Sequence, residues 1–376
     1  MIYLDNAATT RVKPESVYEA FNYYIREVAV SPGRGSYSVG IEASRMLYKT
    51  RKLVGQYFGM EKPTDVVFTK NSTEAINLFF RGYLEAGDHV VITCYEHNAV
   101  LRPLHKLHEE GIIDYSVITR DDLLLSPEEI YSKYFKENTK VFASTLASNL
   151  TGRVVYSPEL MRYIKGKGIT TFLDSSQGAG KIKIEMKSEG LDYLAFTGHK
   201  DLMALPGVGG LCCNKNQKLN PLIQGGTGIF GDSYVNPDSF PEGLEAGTLN
   251  MPAIWSLHAA IENLNENWIK IQNKEEELKA YLFDRIRDIA SLEEYDKEYV
   301  RVGTIGINLN GIPSDKLVQA LDSNGICVRG GIHCAILAHE ALGTVKRGIV
   351  RVSLGYFNTR ADIDNLIEVL QEIGVK

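Results

Sequence analysis

A lysine at the end of an apolar run can carry covalent chemistry. Lys200 closes the segment YLAFTGHK, in which apolar residues give way to Thr197, His199 and Lys200. An amine whose pKa is lowered by its surroundings can condense with an aldehyde to form an imine. Asp174 ends another apolar run, in TFLDSSQGAG. A carboxylate there can face the nitrogen of an aromatic heterocycle and keep it protonated, which makes the ring a better electron sink. Gln177 follows at a spacing that lets it hydrogen-bond an oxygen on the same ring. His97, in CYEHNAV, lies just past a third apolar run and can stack on such a ring. Ser72 and Thr73 open the helical pattern in KNSTEAIN, where hydroxyls and free backbone N–H groups suit a phosphate. Each residue also has an ordinary structural role: a solvated loop lysine, a turn or capping aspartate, a structural histidine, a helix cap.

Chain order unites them. A phosphate cradle, a stacking histidine, Asn149, Asp-x-x-Gln and Thr-Gly-His-Lys follow one another. That order resembles the class V aminotransferase family of fold-type I pyridoxal-5'-phosphate (PLP) enzymes, from LDNAATT to GYFNT. The resemblance implies an imine between PLP and Lys200. It implies that Thr73, Thr197 and His199 bind the phosphate, that His97 stacks on the ring and that Asp174 pairs with the pyridinium. It further implies a homodimer, with Thr248 of EAGTLN reaching the phosphate of the neighbouring subunit.

Within that family, VRGGIHCAILAHE looks like the signature of cysteine desulfurases, in the branch shared with selenocysteine lyases. The pattern Arg-x-Gly-His-His-Cys reads here Arg329, Gly330, Gly331, Ile332, His333, Cys334, so Ile332 replaces one histidine. The short stretch from Cys334 to Arg351 fits the same branch. Gly33 and Tyr37 stand where relatives commonly carry histidines. In the implied reaction Lys200 removes the Cα proton of cysteine. A thiolate at Cys334 then takes the substrate sulfur as a persulfide, leaving alanine. A reactive thiolate needs a cationic or polar neighbourhood, for which Arg329 and His333 are the candidates. Arg351 suits the substrate carboxylate, because a guanidinium grips it bidentately, and Asn149 can help. Selenocysteine is an alternative substrate. Another class V aminotransferase or lyase reaction, or a non-catalytic PLP-binding sulfur relay, remain the rival readings.

These residues need strand ends to hold them. DVVFT, HVVITC, DYSVIT, TKVFASTLAS, ITTFLDSS and DYLAFTGH read as short buried strands. Helical patterns lie between the earlier ones, such as STEAINLFFRGYL, with Ser72 or Thr73 as its cap, and AVLRPLHKLHEEG. This alternation predicts an α/β fold with a mainly parallel sheet and ligands beyond the strands' carboxyl ends. A large PLP-binding domain is expected over 13–249. A smaller α+β domain is expected over 250–376, joined by the N-terminal segment 1–12. It would begin with a long helix from Ala253 to about Ile289, interrupted near Asn263, Asn265 and Asn267. QGGTGIFGDS at 224–233 reads as an exposed loop.

The 376 residues are 44% hydrophobic with a net charge of -6, and the pI is about 5.8. That balance offers nothing to nucleic acid or an anionic membrane. No apolar stretch reaches membrane-span length, and MIYLDNAATT lacks the parts of a secretory leader. The five cysteines are too few and too scattered for a disulfide framework. Cys94, Cys212, Cys213 and Cys327 lie in apolar runs and read as core. The chain reads as a cytoplasmic enzyme with no metal, acting on a small molecule, with a sulfur-acceptor protein as a candidate partner.

Overall fold

The computed structural model describes residues 1–33, 35, 37–214 and 218–374. Its strands, in chain order, are β1 (Ile2–Tyr3), β2 (Val66–Thr69), β3 (His89–Thr93), β4 (Asp114–Ile118), β5 (Thr139–Thr145), β6 (Thr170–Asp174), β7 (Tyr193–Thr197), β8 (Gly209–Cys213), β9 (Leu292–Glu294), β10 (Thr304–Leu309), β11 (Ile326–Cys327), β12 (Arg329–Gly331) and β13 (Ile349–Ser353).

Among the described residues, the large sheet has the order β2-β8-β7-β6-β5-β3-β4. β8 is antiparallel to both neighbours, and the other pairings are parallel. Successive residues of each central strand enter opposite cores, as the period of two requires. Val91, Phe142, Leu173 and Leu194 belong to one apolar cluster. Val90, Val141, Phe172 and Tyr193 belong to the other. Helices Ser72–Tyr83 and Asn98–Glu109 cover the second face, with Phe79 stacked on Phe172 at 4.6 Å between centroids. Each such fully buried side chain contributes about 1.5–3 kcal/mol. After β3 the chain steps outward to β4, then returns to lay β5 on β3's other side. That reversal opens a crevice at the carboxyl ends of β3 and β5, where ligands of such sheets bind.

A second sheet, in the order β12-β13-β10-β9, is antiparallel. It packs with helices Ser314–Ser323 and Arg360–Gly374 around a third cluster that includes Leu4, Ile305 and Leu366. The N-terminus joins it, since β1 pairs with β11 in parallel.

The long helix runs unbroken from Met251 to Ile286, so the interruption expected at the asparagines is absent. Asn267 Nδ2 donates to Asn263 O at 3.1 Å, one turn back along the helix. No proline or glycine follows Pro252 within it. Its first half, from Met251 to Ile271, lies in the first cluster, while Leu278, Leu282 and Ile286 lie in the third. One helix thus threads both cores. Residues 224–233 carry no regular structure and are mostly exposed.

Candidate active site

Four strand ends build the floor of the site. Past β7, the TGHK turn is closed by Gly198 N donating to Val208 O at 2.9 Å and Met203 N donating to Lys200 O at 2.8 Å. Burial pulls the Lys200 amine below the ordinary lysine range; Arg351 and Arg329 push it the same way, and Asp174 and Asp201 oppose them. Asp174, at the end of β6, is 2% exposed. Its Oδ1 accepts from Ser176 N at 3.0 Å. Gln177 is buried, with Nε2 donating to Ala7 O at 2.8 Å, which ties this turn to the N-terminal segment.

Beyond β3, His97 caps the helix Asn98–Glu109. Its Nδ1 accepts from Ala99 N at 3.0 Å, so the ring proton sits on Nε2. Burial pushes its pKa down to about 4, against the pull of Asp174. The ring is a neutral imidazole near pH 7.

The helix Ser72–Tyr83 is capped by Asn71, not by Ser72 or Thr73. Asn71 Oδ1 accepts from Glu74 N at 3.0 Å, reaching the third residue of the helix from an extended backbone. Capping therefore does not occupy the two hydroxyls. Ser72 is buried at the helix N-terminus and Thr73 is exposed. Thr197 is 3% exposed, and its Oγ1 has no partner among the described residues. A buried hydroxyl left open beside a helix start suits a phosphate oxygen. His199 is partly buried, and burial lowers its pKa to about 4. Thr248 is exposed and lines a cavity of about 420 Å³ with Thr69, Lys70 and Glu74.

The roof is the turn after β12. Gly331, His333 and Cys334 all have positive φ, at 106°, 52° and 57°. For the two side-chain-bearing residues this costs about 1–2 kcal/mol each. Tethers from the floor hold the turn: Asn149 Nδ2 donates to His333 O at 2.7 Å, and Asn98 N donates to Cys334 O at 2.7 Å. The thiol-bearing residue is thereby fixed against the loops beyond β3 and β5. His333 is no cation. Its Nε2 hydrogen-bonds Ile349 O at 2.8 Å, and burial pushes its pKa down to about 3. Of the two groups expected to favour a thiolate, only Arg329 carries charge. Cys94, Cys212 and Cys213 are buried, whereas Cys327 is only partly so.

Arg351 is 1% exposed. Nη1 donates to Asn149 O at 2.9 Å and Nη2 to Asp5 Oδ1 at 2.6 Å, while Nε is buried without a partner. Arg329 stands directly opposite in the β12–β13 ladder and is exposed. It has no ion pair among the described residues. Two facing guanidiniums with one counter-ion, Asp5, form a site short of negative charge. The buried, unpartnered Oδ1 of Asn149 lies beside them.

Asp5 and Glu96 took no part in the sequence reading. Asp5 lies in LDNAATT, and its partner Arg351 is 346 positions away. Glu96 sits between a strand end and His97, and a charged residue at that place is a usable signal. Among the described residues, no group of His, Cys, Asp and Glu is arranged to hold a metal, and no helix is long and apolar enough to cross a membrane.

A family model described as aminotransferase class-V matches residues 2–366. A probable cysteine desulfurase of Methanothermobacter thermautotrophicus is 34% identical, across 99% of this chain and 94% of its own length. A cysteine desulfurase of Yersinia pestis is 30% identical, across 99% and 93%. In structure, the cysteine desulfurase of Thermococcus onnurineus superposes with a TM-score of 0.90 at 28% identity, covering 100% of this chain and 94% of that one.

Proposed function

The chain belongs to the class-V aminotransferase family, and from that premise we propose that it is a PLP-dependent desulfurase that converts L-cysteine to L-alanine and takes the sulfur on Cys334. The observation that carries this reading is the pair of tethers from Asn149 and Asn98, which hold the Cys334 turn against the loops beyond β5 and β3, next to His97.

The residues fit the cofactor. Asp174 would face the ring nitrogen, His97 the ring face and Gln177 the ring oxygen. Ser72, Thr73, Thr197 and His199 would hold the phosphate, for which the open Thr197 hydroxyl is the supporting detail. When bound, PLP supplies the sink for the electron pair left at Cα. Lys200, with its amine held below the usual range, takes the Cα proton on Nζ. Arg351 orients the substrate carboxylate through its unpaired Nε, Asn149 helps by holding the Arg351 guanidinium through its backbone carbonyl, and Arg329 adds positive charge. The Cys334 thiolate attacks the substrate sulfur. An S–S bond forms, the Cβ–S bond breaks with its electron pair going to Cβ, and protonation there gives the methyl group of alanine.

Apolar residues stand exposed on the helix Ser38–Tyr57, at Ile41 and Tyr48, and around the 222–235 loop, at Leu222, Phe230 and Tyr234. A second copy of the chain is the occupant we propose for that surface. Thr248 borders it and would serve the neighbouring subunit's phosphate. Free thiols at Cys327 and Cys334 suit a reducing compartment, which we take to be the cytoplasm.

Incubating the protein with cysteine and a reductant, and quantifying sulfide and alanine, tests this reading. Matched release of both supports it. Alanine that appears only when a keto acid is added would favour transamination. No product from a PLP-loaded protein would favour the relay reading. A parallel assay on selenocysteine, with wild type and Cys334→Ser, sets its preference between sulfur and selenium.

A further inference from the structure

Glu96 is a carboxyl with no exposed surface, placed between the end of β3 and His97. Its Oε1 accepts from Thr93 Oγ1 at 2.6 Å and from Thr145 N at 2.8 Å. Its Oε2 is buried without a partner, and no cation lies within ion-pair distance among the described residues. Thr145 is also the cross-strand partner of Asp174. Two buried carboxyls therefore share the edge of β5.

Both cannot be charged cheaply at such a place. An unpaired buried carboxylate costs more than one unsatisfied hydroxyl. One of the pair must hold a proton. Asp174 accepts the Ser176 N–H and is the group aimed at a protonated ring, so its charge has a use. Glu96 is left as the acid. Its pKa is pushed up to about 8, by burial first and by Asp174 in part. The titratable groups facing it are Asp174 from β6 and, on its own loop, Cys94.

We propose that Glu96 is a positioning residue that works as a neutral carboxylic acid, tying the His97 loop to the end of β5 and adding no second negative charge beside Asp174. The cofactor half of this statement rests on the reading of Asp174 given above; the protonation half does not.

Glu96→Gln makes the neutral shape permanent. In the wild type the fold holds a proton that the unfolded chain gives up above its ordinary value of about 4.5. Stability is therefore fully present below that pH and lost as pH rises to about 8. The variant has no such loss. Thermal midpoints of both proteins, with and without PLP, are to be followed from pH 5 to 9. The expected result is a gap that moves in the variant's favour by roughly 3 °C across that range. The wild type's PLP affinity is also expected to weaken with rising pH several-fold more than the variant's. Parallel pH curves, or a variant that loses ground as pH rises, would overturn the proposal.

Thr93→Val supplies a second test should Glu96→Gln fold poorly. It removes a hydrogen bond that favours the ionised form, so the alkaline loss should move to higher pH. An unmoved or downward-shifted loss contradicts the proposal. If neither wild type nor variant binds PLP, the reading of the cofactor site fails, and the midpoint gap still decides the protonation of Glu96.

Discussion

The floor and the roof of the site are built on opposite terms. On the floor, His97, Asp174 and Lys200 project from the ends of buried strands whose alternate residues lock into two cores. On the roof, Cys334 rides a turn of residues with positive φ, held down by hydrogen bonds borrowed from the floor. The comparison teaches a division of labour. Cofactor chemistry needs fixed geometry, which a packed sheet supplies. Sulfur transfer needs a nucleophile that meets the substrate and later gives its sulfur away, which a strained, partly exposed turn allows.

Lys200→Ala breaks the floor and should have the largest effect. Turnover of cysteine should fall on the order of 10⁴-fold, the upper range for a lost general base, with PLP held less tightly. Steady-state rates and the visible spectrum of the loaded protein check this. Cys334→Ser breaks the roof alone. Sulfide release should fall roughly 10³-fold, about 4 kcal/mol in the transfer step, while the spectrum of bound PLP stays as in the wild type. A floor that changed with this substitution would erase the distinction.

Asp5→Asn sharpens the comparison at the join. It leaves Arg351 buried without its carboxylate and should cost about 2 kcal/mol, less than a fully enclosed pair because Asp5 keeps some exposure. Denaturant titration measures that cost, and KM for cysteine should change with it. Asn149→Ala removes the tether on His333 O. It should cost about 1 kcal/mol of stability and roughly tenfold in kcat, read from a thermal melt and a rate assay.

An effect confined to acid pH comes from the roof's histidine. His333 has its folded pKa lowered to about 3, below the unfolded value of about 6.5. Its contribution is present above pH 6.5 and is lost as pH falls toward 3, at up to about 1.4 kcal/mol per pH unit. His333→Asn should flatten that acid limb in melts taken between pH 4 and 7.

The floor could be read from the chain because its residues end apolar runs. YLAF leads to Lys200, TFL to Asp174, and HVVIT to the loop of His97. The roof could be picked out as well, through the resemblance of VRGGIHCAILAHE to the desulfurase signature. Its electrostatics could not. His333 is neutral because Ile349 O and burial decide its proton, and neither is visible in the local sequence. The pairing of Asp5 with Arg351 needs β1 to lie beside β11, a contact between the two ends of the chain. The helix cap is Asn71 rather than Ser72 or Thr73; all three are good caps, and only backbone geometry chooses among them. The long helix looked breakable because asparagines favour turns, but its packing in two cores overrides that weak preference.

The most direct test of the account is to mix PLP-loaded protein with one equivalent of L-cysteine, without reductant, and to locate the transferred sulfur by peptide mass spectrometry. The account predicts one additional sulfur atom on the peptide containing Cys334, matched by one equivalent of alanine. Alanine formed with that peptide unmodified, or sulfur found on Cys327 instead, would contradict it.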